Sequence, residues 1–406
     1  MKCGLLGQKL GHSYSPQIHS KLADYDYSLF EKEPDELAAF LQSGEFSGLN
    51  VTIPYKKMVI PYLSELSPIA AKLGAVNTIV RREDGNLIGH NTDYFGFRTM
   101  VESSGLKVNG KKVLVLGSGG ASNTAAAVLE ELGSQVIVIS RNGENNYQNL
   151  QLHKDAAVIV NTTPVGMYPN NGETPIDLSL FPKLEGVLDV IFNPAHTRLL
   201  LDAQARGCVA VNGLLMLVAQ AKESAEWFTG RSIENDCIQR IYKELSLQTQ
   251  NIVLIGMPGC GKSTIGKALA QKTGRCYVDA DEEIVRYAGR SIPEIFASDG
   301  EEGFRKIETT VLEALGKRSG LILSTGGGCV TRLENYPLLH QNGKIIWITR
   351  NLDILPTDGR PLSQTQNLSH MYKIRRPLYE RFADLTIPNE TTVSETVRRI
   401  IEELEL

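Results

Sequence analysis

The stretch Gly256-Met257-Pro258-Gly259-Cys260-Gly261-Lys262-Ser263-Thr264 decides the fold of the second half of this chain. It follows the short apolar run 251–255 and precedes a helical pattern over residues 265–271. A GxxxxGK[ST] loop between a strand and a helix is typical of a phosphate-binding loop, because its backbone N–H groups face phosphate oxygens. We expect Lys262 to reach the outer phosphates and Ser263 to hold Mg²⁺. The alternative is a glycine turn that only opens a helix.

The position of this loop also divides the chain. A phosphate loop follows the first strand of its domain, so a new domain begins near residue 251. The length of 406 residues suggests two or three domains in total. Hydrophobic residues make up 42% and charged residues 22%, which is ordinary for α/β proteins with large cores.

Charge and cysteine usage narrow the functional classes. The net charge of −4, without a dense Lys/Arg run, gives no indication of a nucleic-acid partner. The six cysteines are scattered and form no CxxC, which favours reduced thiols and a cytoplasmic location. No apolar run approaches the ~20 residues of a membrane span, and we predict no signal peptide. The oligomeric state cannot be predicted from this sequence.

Polar residues follow the predicted strands of the first hundred residues. Ser13 and Ser15 lie in a turn after a strand over residues 2–6, where turn or capping roles are the alternative. Lys56 follows another strand, and Asp93 ends a polar cluster after a third. A lysine and an aspartate in one cleft can transfer a proton, because burial and the neighbouring charge adjust both pKa values. The alternative for Lys56 is a solvated surface charge.

A βαβ pattern follows near residue 111. The strand 111–116 leads into Gly117-Ser118-Gly119-Gly120-Ala121-Ser122, then a helix over 123–132 and a strand over 135–140. Such a glycine-rich first turn is where dinucleotide-binding folds hold a pyrophosphate. Arg141 follows the second strand, where an acidic residue would bind the 2′-OH of NAD. Because arginine can pair with a 2′-phosphate, NADP is favoured over NAD, the alternative being an exposed strand-end arginine.

Seven segments of the first half occur in the order that one enzyme family shows. They are the serines of 13–15, NVTxPxK at 50–56, GAVNT at 74–78, GxNTD at 89–93, GxGGAS at 117–122, NTTPxGM at 161–167 and the helix 213–220. Through these segments, residues 1 to about 240 resemble shikimate dehydrogenase.

This resemblance implies a two-lobed fold and a set of site residues. A substrate-binding lobe over 1–100, completed by 212–245, would accompany a Rossmann-type NADP-binding lobe over 101–211. Lys56 and Asp93 would be the catalytic pair. Substrate contacts would come from Ser13, Ser15, Thr52, Lys56, Asn77, Asp93 and Gln220, and NADP(H) contacts from Gly117, Gly119, Gly120, Ala121, Ser140, Arg141, Asn142, Thr162 and Gly213. The chain departs from the family pattern at Tyr55, where histidine is common, and at Phe192, where tyrosine is common.

The second half carries its own series of motifs after the phosphate loop. They are DxD at 279–281, SIxEIF at 291–296, GExxFRxxE at 300–308, GGG at 326–328, RPL at 360–362 and RxPLY at 375–379. With them, residues 251–406 are similar to shikimate kinase, a P-loop domain with a parallel sheet, joined to the first half by a polar linker over 246–250. Ser363 departs from the family, where a further leucine is common.

The kinase resemblance implies roles for individual residues. Lys262 and Arg360 would attend the transferred phosphoryl group, and Asp281 would orient the attacking hydroxyl. ATP contacts would come from Gly259, Cys260, Gly261, Lys262, Ser263, Thr264 and Arg360, shikimate contacts from Asp281, Arg305, Gly327 and Arg375, and Mg²⁺ ligands from Ser263 and Asp279. The alternative for Asp281 is a capping role at a helix that starts near residue 282.

These patterns together predict a bifunctional α/β enzyme. The first half would reduce 3-dehydroshikimate to shikimate with NADPH, and the second would phosphorylate shikimate with MgATP. Two alternatives remain for the first half. It could oxidise a related polyol such as quinate, or it could be a catalytically inactive sensor or scaffold attached to an active kinase.

Overall fold

The computed structural model describes residues 1–11, 13–355 and 368–406. These residues form two compact units. The first contains Met1–Gly166, Glu173–Phe192 and Leu199–Glu244, and the second contains Met167–Gly172, Asn193–Arg198 and Leu245–Leu406. Arg360 and Ser363, on which two of the predictions above depend, lie outside the described residues.

The first unit begins with a six-stranded mixed sheet. Its strands are β1 (Lys2–Gly7), β2 (Asp26–Glu31), β3 (Gly48–Val51), β4 (Glu65–Leu66), β5 (Thr78–Arg81) and β6 (Leu87–His90), in the order β2-β1-β3-β5-β6-β4. β1 runs parallel to β2 and β3, whereas β5 is antiparallel to both of its neighbours. The short helices α1 (Ser15–His19), α2 (Leu37–Gln42) and α3 (Pro68–Leu73) lie in its connections. The polar clusters predicted from the sequence therefore follow β1, β3 and β6.

A second sheet of the same unit is wholly parallel. It contains β7 (Lys112–Leu116), β8 (Gln135–Ile139), β9 (Val158–Asn161), β10 (Gly186–Asp189) and β11 (Val209–Val211), in the order β11-β10-β9-β7-β8. The helices α5 (Gly120–Glu131) and α6 (Arg198–Ala205) belong to its crossovers. All four residues of β9 and of β10 are buried, which is expected where helices cover both faces of a parallel sheet.

Two longer helices stand beside the first sheet. α4 (Asp93–Ser103) follows β6 directly, and α7 (Leu214–Thr229) packs against α4 and α1. The central turns of α7 bury small and apolar residues together with Gln220 and Ser224. Polar side chains of α7 thus reach the ends of β3, β5 and β6, where the predicted substrate residues lie.

The second unit is a five-stranded parallel sheet with helices. Its strands are β12 (Asn251–Ile255), β13 (Cys276–Asp279), β14 (Leu321–Ser324), β15 (Gly343–Thr349) and β16 (Leu385–Pro388), in the order β13-β14-β12-β15-β16. The helices are α9 (Lys262–Thr273), α10 (Ala280–Ala288), α11 (Ile292–Gly316), α12 (Asn335–His340), α13 (Leu368–Phe382) and α14 (Val393–Leu404). Every residue of the central strand β12 is buried, which places the phosphate loop at the carboxyl end of the middle of the sheet.

Two short segments from earlier in the chain complete the second unit. The backbone N–H of His196 donates to the carbonyl of Gln341 at 2.8 Å, and that of Ala195 donates to Asn342 Oδ1 at 2.8 Å. Asn171 Nδ2 donates to Gln341 Oε1 at 2.7 Å. The sequence placed both segments in the NADP-binding lobe over 101–211, whereas their contacts assign them to the unit that carries the kinase motifs.

The predicted linker over 246–250 is not an irregular segment. Helix α8 (Asp236–Thr249) includes residues 246–249, and only Gln250 separates it from β12. Ile238, Ile241 and Leu245 are buried at helical spacing along one face of α8. Its polar composition suggested a loop, but polar residues on the opposite face of an amphipathic helix give the same local composition.

Candidate active sites

The predicted catalytic pair of the first half is in direct contact. Lys56 lies in the turn after β3, and Asp93 is the first residue of α4. Lys56 Nζ donates to Asp93 Oδ2 at 2.5 Å, and the side chains are 26% and 13% exposed. The Asp93 backbone N–H donates to Asn91 Oδ1 at 3.1 Å. An ammonium group and a carboxylate are therefore held together at a site that is partly open to solvent.

A buried hydrogen-bond network connects two more of the predicted substrate residues. Asn77 Oδ1 accepts from the backbone N–H of Thr92 at 2.7 Å, and Asn77 Nδ2 donates to Thr92 Oγ1 at 3.0 Å. Thr92 Oγ1 also lies 3.4 Å from Gln220 Oε1. Since Asp93 follows Thr92, the network brings Asn77 and Gln220 to the same strand end as the catalytic pair.

The remaining predicted substrate residues lie at the carboxyl ends of β1 and β3. Ser15 is buried, and its backbone N–H donates to Ser13 Oγ at 3.2 Å. Thr52 follows β3 and donates its backbone N–H to the carbonyl of Leu6 in β1 at 2.9 Å. Across the described residues, no hydrogen bond joins Ser13 or Thr52 directly to Lys56 or Asp93.

The two departures from the family pattern have different surroundings. Tyr55 is fully buried, and its hydroxyl donates to the backbone carbonyl of Lys32, so it belongs to the core below the site. Phe192 is half-buried, and its ring centroid lies 5.7 Å from that of Tyr14, next to Ser13 and Ser15. Phe192 thus stands beside the serine turn and offers it no hydroxyl group.

The glycine-rich turn after β7 has the geometry of a phosphate cradle. Gly117 has a φ of 118°, which favours glycine, and its carbonyl accepts from Ser122 Oγ at 2.8 Å. A side chain at Gly119 or Gly120 would meet no atom within 4 Å. This open space over the start of α5 is where a phosphate group can approach the backbone N–H groups. Ala121 lies in the first turn of the same helix.

The other predicted cofactor residues border the carboxyl end of the second sheet. Thr162 Oγ1 donates to the carbonyl of Leu116 at 2.6 Å. Gly213 begins α7, where a Cβ atom would lie 2.0 Å from the carbonyl oxygen of Val190, so only glycine fits. Ser140, Arg141 and Asn142 follow β8, and Arg141 and Asn142 are exposed.

One cavity of about 470 Å³ unites the predicted kinase residues. Its lining includes Gly259, Gly261, Lys262, Ser263, Thr264, Asp279, Asp281, Arg305, Gly327 and Arg375. Cys260 differs from its predicted neighbours because its side chain is buried, next to the aliphatic core. Its carbonyl accepts from Asn389 Nδ2 at 2.8 Å, so this residue supports the loop from behind.

Hydrogen bonds fix the two polar side chains that follow the glycines of the phosphate loop. Lys262 Nζ donates to the carbonyls of Gly256 and Met257 at 2.9 and 3.1 Å. Ser263 Oγ donates to Asp279 Oδ2 at 3.0 Å. A hydroxyl and a carboxylate at this separation are two hard oxygen donors beside the loop, which is the donor type that Mg²⁺ prefers.

The capping alternative for Asp281 is wrong. Helix α10 begins at Ala280, and its N-cap is Asp279, whose side chain accepts from the backbone N–H of Asp281. Asp281 therefore lies inside the first turn, and it lines the cavity.

The sequence motifs assign no role to Glu308, which is 1% exposed and anchors the cavity wall. Arg305 Nη1 donates to Glu308 Oε2 at 2.7 Å, and a side chain at Gly328 would collide with the Arg305 guanidinium. Burial raises the pKa of Glu308. A glutamate three residues after an arginine on a helix was the available signal, because such residues share one face.

Arg350 and Arg375 complete the charged part of this wall, and Tyr379 is buried behind it. Arg375 Nη1 and the Tyr379 hydroxyl donate to the Gly327 carbonyl at 3.2 and 2.5 Å, so the glycine segment is fixed from α13. Arg350 lines the cavity just after β15, and its buried Nε finds no acceptor among the described residues. Arg350 was not predicted as a site residue, because a single arginine after a strand belongs to no motif.

These two sites define a class of protein: an α/β enzyme with a dinucleotide-dependent oxidoreductase site in its first unit and a P-loop phosphotransferase site in its second. Family comparisons agree with each half. The Shikimate dehydrogenase substrate binding domain matches residues 5–79, and the Shikimate kinase family matches residues 258–405.

Similar proteins extend the match across the first unit. The chain is 36% identical over 265 residues to a shikimate dehydrogenase (NADP(+)) of Clostridium perfringens strain SM101, covering 60% of this chain and 97% of that protein. It superposes on shikimate dehydrogenase 1 of Peptoclostridium difficile with a TM-score of 0.56 at 37% identity, over 61% of this chain and 98% of that chain. A shikimate 5-dehydrogenase of Thermus thermophilus, in complex with NADP(H) and shikimate, superposes with a TM-score of 0.56 at 29% identity. The match covers 60% of this chain and 99% of that chain.

The chain therefore belongs to the shikimate dehydrogenase family and also carries a shikimate kinase domain. It is a bifunctional enzyme of the shikimate pathway, which confirms the predicted fold class, the two activities and the use of NADP and ATP. Among the described residues, no helix combines the length and apolar character needed to span a bilayer.

Proposed function

We propose that the first unit reduces 3-dehydroshikimate to shikimate with NADPH and that the second transfers the γ-phosphoryl group of ATP to the shikimate 3-hydroxyl. The observation that supports the first step most directly is the 2.5 Å contact between Lys56 and Asp93. Both reactions act on one small polyol, so the product of the first site is the substrate of the second.

In the dehydrogenase site, Lys56 would donate a proton to the carbonyl oxygen as it becomes a hydroxyl group. Asp93 would orient the ammonium group and stabilise its charge, and the contact between them supports this division of roles. Asn77 and Gln220 would contact the ring hydroxyls, since both lie on the network that reaches Thr92. Ser13, Ser15 and Thr52 would bind the rest of the substrate from the ends of β1 and β3.

The cofactor residues fit NADP(H), which supplies the hydride when bound. Open space above Gly119 and Gly120 suits the pyrophosphate, and Gly117, Ala121, Thr162 and Gly213 border the same sheet edge. Arg141 would pair with the 2′-phosphate, between Ser140 and Asn142. The exposure of its side chain at the end of β8 supports this role.

In the kinase site, Asp281 would orient the attacking hydroxyl and accept its proton, and Arg305, Gly327 and Arg375 would bind shikimate. Their common cavity supports this assignment. Lys262 would reach the transferred phosphoryl group. The phosphates would lie on the loop 259–264, and Arg360 is proposed from sequence alone.

A magnesium site at Ser263 and Asp279 is part of this proposal. The contact of 3.0 Å between their oxygens fits a metal that takes few protein ligands and keeps waters and phosphate oxygens. Bound Mg²⁺ would neutralise phosphate charge. We further propose a cytoplasmic location, supported by six free cysteine thiols, and small-molecule substrates without a nucleic-acid or membrane partner.

The decisive experiment measures both activities on one purified chain. We expect NADP-dependent oxidation of shikimate, Mg²⁺-dependent phosphorylation of shikimate by ATP, and much weaker oxidation of quinate. A chain that phosphorylates shikimate but oxidises neither polyol would instead support an inactive sensor module.

A further inference from the structure

Ser224 is the centre of a buried polar cluster that no role assigned above explains. The residue lies in the middle of α7 and is fully buried. Its hydroxyl oxygen lies 2.7 Å from Asn50 Nδ2 and 3.0 Å from both Thr78 Oγ1 and Thr92 Oγ1. It also donates to the Gln220 carbonyl at 2.9 Å. One hydroxyl therefore joins α7 to the ends of β3, β5 and β6.

The direction of several bonds in this cluster is fixed by chemistry. A backbone N–H is always a donor, so the 2.7 Å bond from the Thr92 N–H fixes the Asn77 amide with its Oδ1 toward Thr92. The hydroxyls of Thr78 and Thr92 lie 3.1 and 3.2 Å from the same oxygen. Each threonine hydroxyl has one hydrogen to share between this oxygen and Ser224 Oγ, so Asn77 Oδ1 faces protein donors and the second hydrogen of Nδ2 is the part of Asn77 left for a ligand.

Gln220 shows the same arrangement one turn of α7 before Ser224. Its Oε1 faces the Thr92 hydroxyl at 3.4 Å, and its Nε2 donates to the Leu217 carbonyl at 2.9 Å. Each amide nitrogen carries two hydrogens, and one on Asn77 and one on Gln220 find no acceptor within the described residues. The site therefore offers N–H donors to a ligand rich in hydroxyl oxygens.

We propose that Ser224 is a positioning residue for the dehydrogenase substrate: it orders the Thr78 and Thr92 hydroxyls so that Asn77 and Gln220 present N–H groups to the ring hydroxyls. The hydrogen bond from Asn50 fixes one of the donors that the Ser224 hydroxyl accepts from. The Tyr27 hydroxyl donates to Asn50 Oδ1 at 2.8 Å, which turns Nδ2 of Asn50 toward Ser224. This inference rests on the proposed dehydrogenase function.

Loss of the Ser224 hydroxyl removes the acceptor of a buried donor. In Ser224→Ala, Asn50 Nδ2 keeps only longer contacts, of 3.3 Å to Thr78 Oγ1 and 3.5 Å to the Asn77 carbonyl. The two threonine hydroxyls then turn to the remaining acceptors, and the hydrogen bonds that Thr92 Oγ1 makes to the side-chain amides of Asn77 and Gln220 are weakened. We expect the KM for shikimate to rise about 5- to 20-fold, with kcat and the KM for NADP⁺ within about threefold of wild type.

Thr229→Ala is the matched control on the same helix. Thr229 Oγ1 donates to the Ala225 carbonyl at 2.8 Å, the same bond to the residue four positions earlier that Ser224 makes, without contact to the cluster. We expect Thr229→Ala to lower the melting temperature but leave the KM for shikimate unchanged. A purely structural role for Ser224 predicts the same behaviour for Ser224→Ala.

A folded Ser224→Ala enzyme with a KM for shikimate within about twofold of wild type would overturn the inference. If that variant does not fold, the KM for shikimate of Ser224→Cys is the deciding measurement, because a thiol adds little volume and makes weaker hydrogen bonds than a hydroxyl. A KM raised by about threefold or more supports the inference, and an unchanged KM overturns it. A wild-type chain that does not oxidise shikimate would remove the proposed function and this inference together.

Discussion

The Asp279 carboxylate accepts a hydrogen bond from the backbone N–H of Asp281 at 3.0 Å. Through this bond Asp279 caps α10. The Asp281 carboxylate is not the cap, and it lies in the lining of the kinase cavity, close to Glu308 and Gly326. The two aspartates of the DxD motif therefore have different roles, since the Asp279 side chain caps a helix and the Asp281 side chain does not.

Asp281→Asn should impair phosphoryl transfer without affecting the fold. We expect kinase turnover to fall by about 10²–10⁴, because asparagine cannot accept the proton of the attacking hydroxyl. ATP affinity, the melting temperature and dehydrogenase turnover should stay near wild type. Asp299→Asn, at an exposed residue of α11, is the control. Kinase turnover within about threefold of wild type in Asp281→Asn would exclude Asp281 as the base.

Lys56→Ala should remove most dehydrogenase activity. The ammonium group held against Asp93 is the expected proton donor, so we expect shikimate oxidation and dehydroshikimate reduction to fall by about 10²–10⁴. Kinase turnover should not change. Lys57→Ala is a matched control, because Lys57 is the next residue and is exposed. Retention of near-normal reduction by Lys56→Ala would exclude Lys56 from the mechanism.

Arg141→Asp should reverse the cofactor preference. A carboxylate at this position repels a 2′-phosphate and can accept from a 2′-OH, so kcat/KM should fall for NADPH and rise for NADH. The measurement is the ratio of the two kcat/KM values in the wild type and the variant. Lys154→Asp makes the same charge change at another exposed position of the first unit. An unchanged ratio in Arg141→Asp would contradict the assignment.

His19 should make the first unit less stable in mild acid. Burial lowers its pKa to about 3, and it stacks on Tyr27 with ring centroids 4.0 Å apart. Because the pKa is near 6.5 in the unfolded chain, the unfolded state takes up a proton between pH 6.5 and 3 and the folded state does not. Stability is therefore present above pH 6.5 and is lost as the pH falls toward 3.

The test compares His19 with His19→Phe, which cannot titrate and can still stack on Tyr27. Between pH 7 and pH 5 we expect the wild type to lose about 2 kcal/mol more unfolding free energy than the variant. The chain has two tryptophans, Trp227 and Trp347, and only Trp227 lies in the first unit. Urea unfolding in a Trp347→Phe background therefore reports on that unit. Equal losses in both proteins would contradict the prediction.

Local sequence patterns predicted the phosphate loop and most strands because the chemistry and its support lie next to each other in the chain. The loop from Gly256 to Thr264 lies directly between its strand and its helix, and Asp279 and Asp281 lie at the end of a short strand that the composition of residues 276–278 indicates. Glu308 was quoted within a motif without a role, since its contact with Arg305 depends on how α11 faces the cavity.

Other features depend on residues far apart in the chain. The cluster around Ser224 joins Asn50, Thr78 and Thr92, none of which lies within 130 residues of it. A serine in a helix with small apolar neighbours gives no local sign of such partners. The helical state of residues 246–249 was missed for a related reason, because the buried side of α8 is decided by tertiary packing.

The second unit takes residues 167–172 and 193–198 from early in the chain, and this has a consequence for synthesis. His196 leaves the ribosome 145 residues before its partner Gln341. At ~5–20 residues per second, the segment waits roughly 7 to 30 s for that partner. During this interval the newly made dehydrogenase half carries two stretches without their final contacts. Translation speed downstream of the first unit thus sets how long a chaperone or protease can reach them.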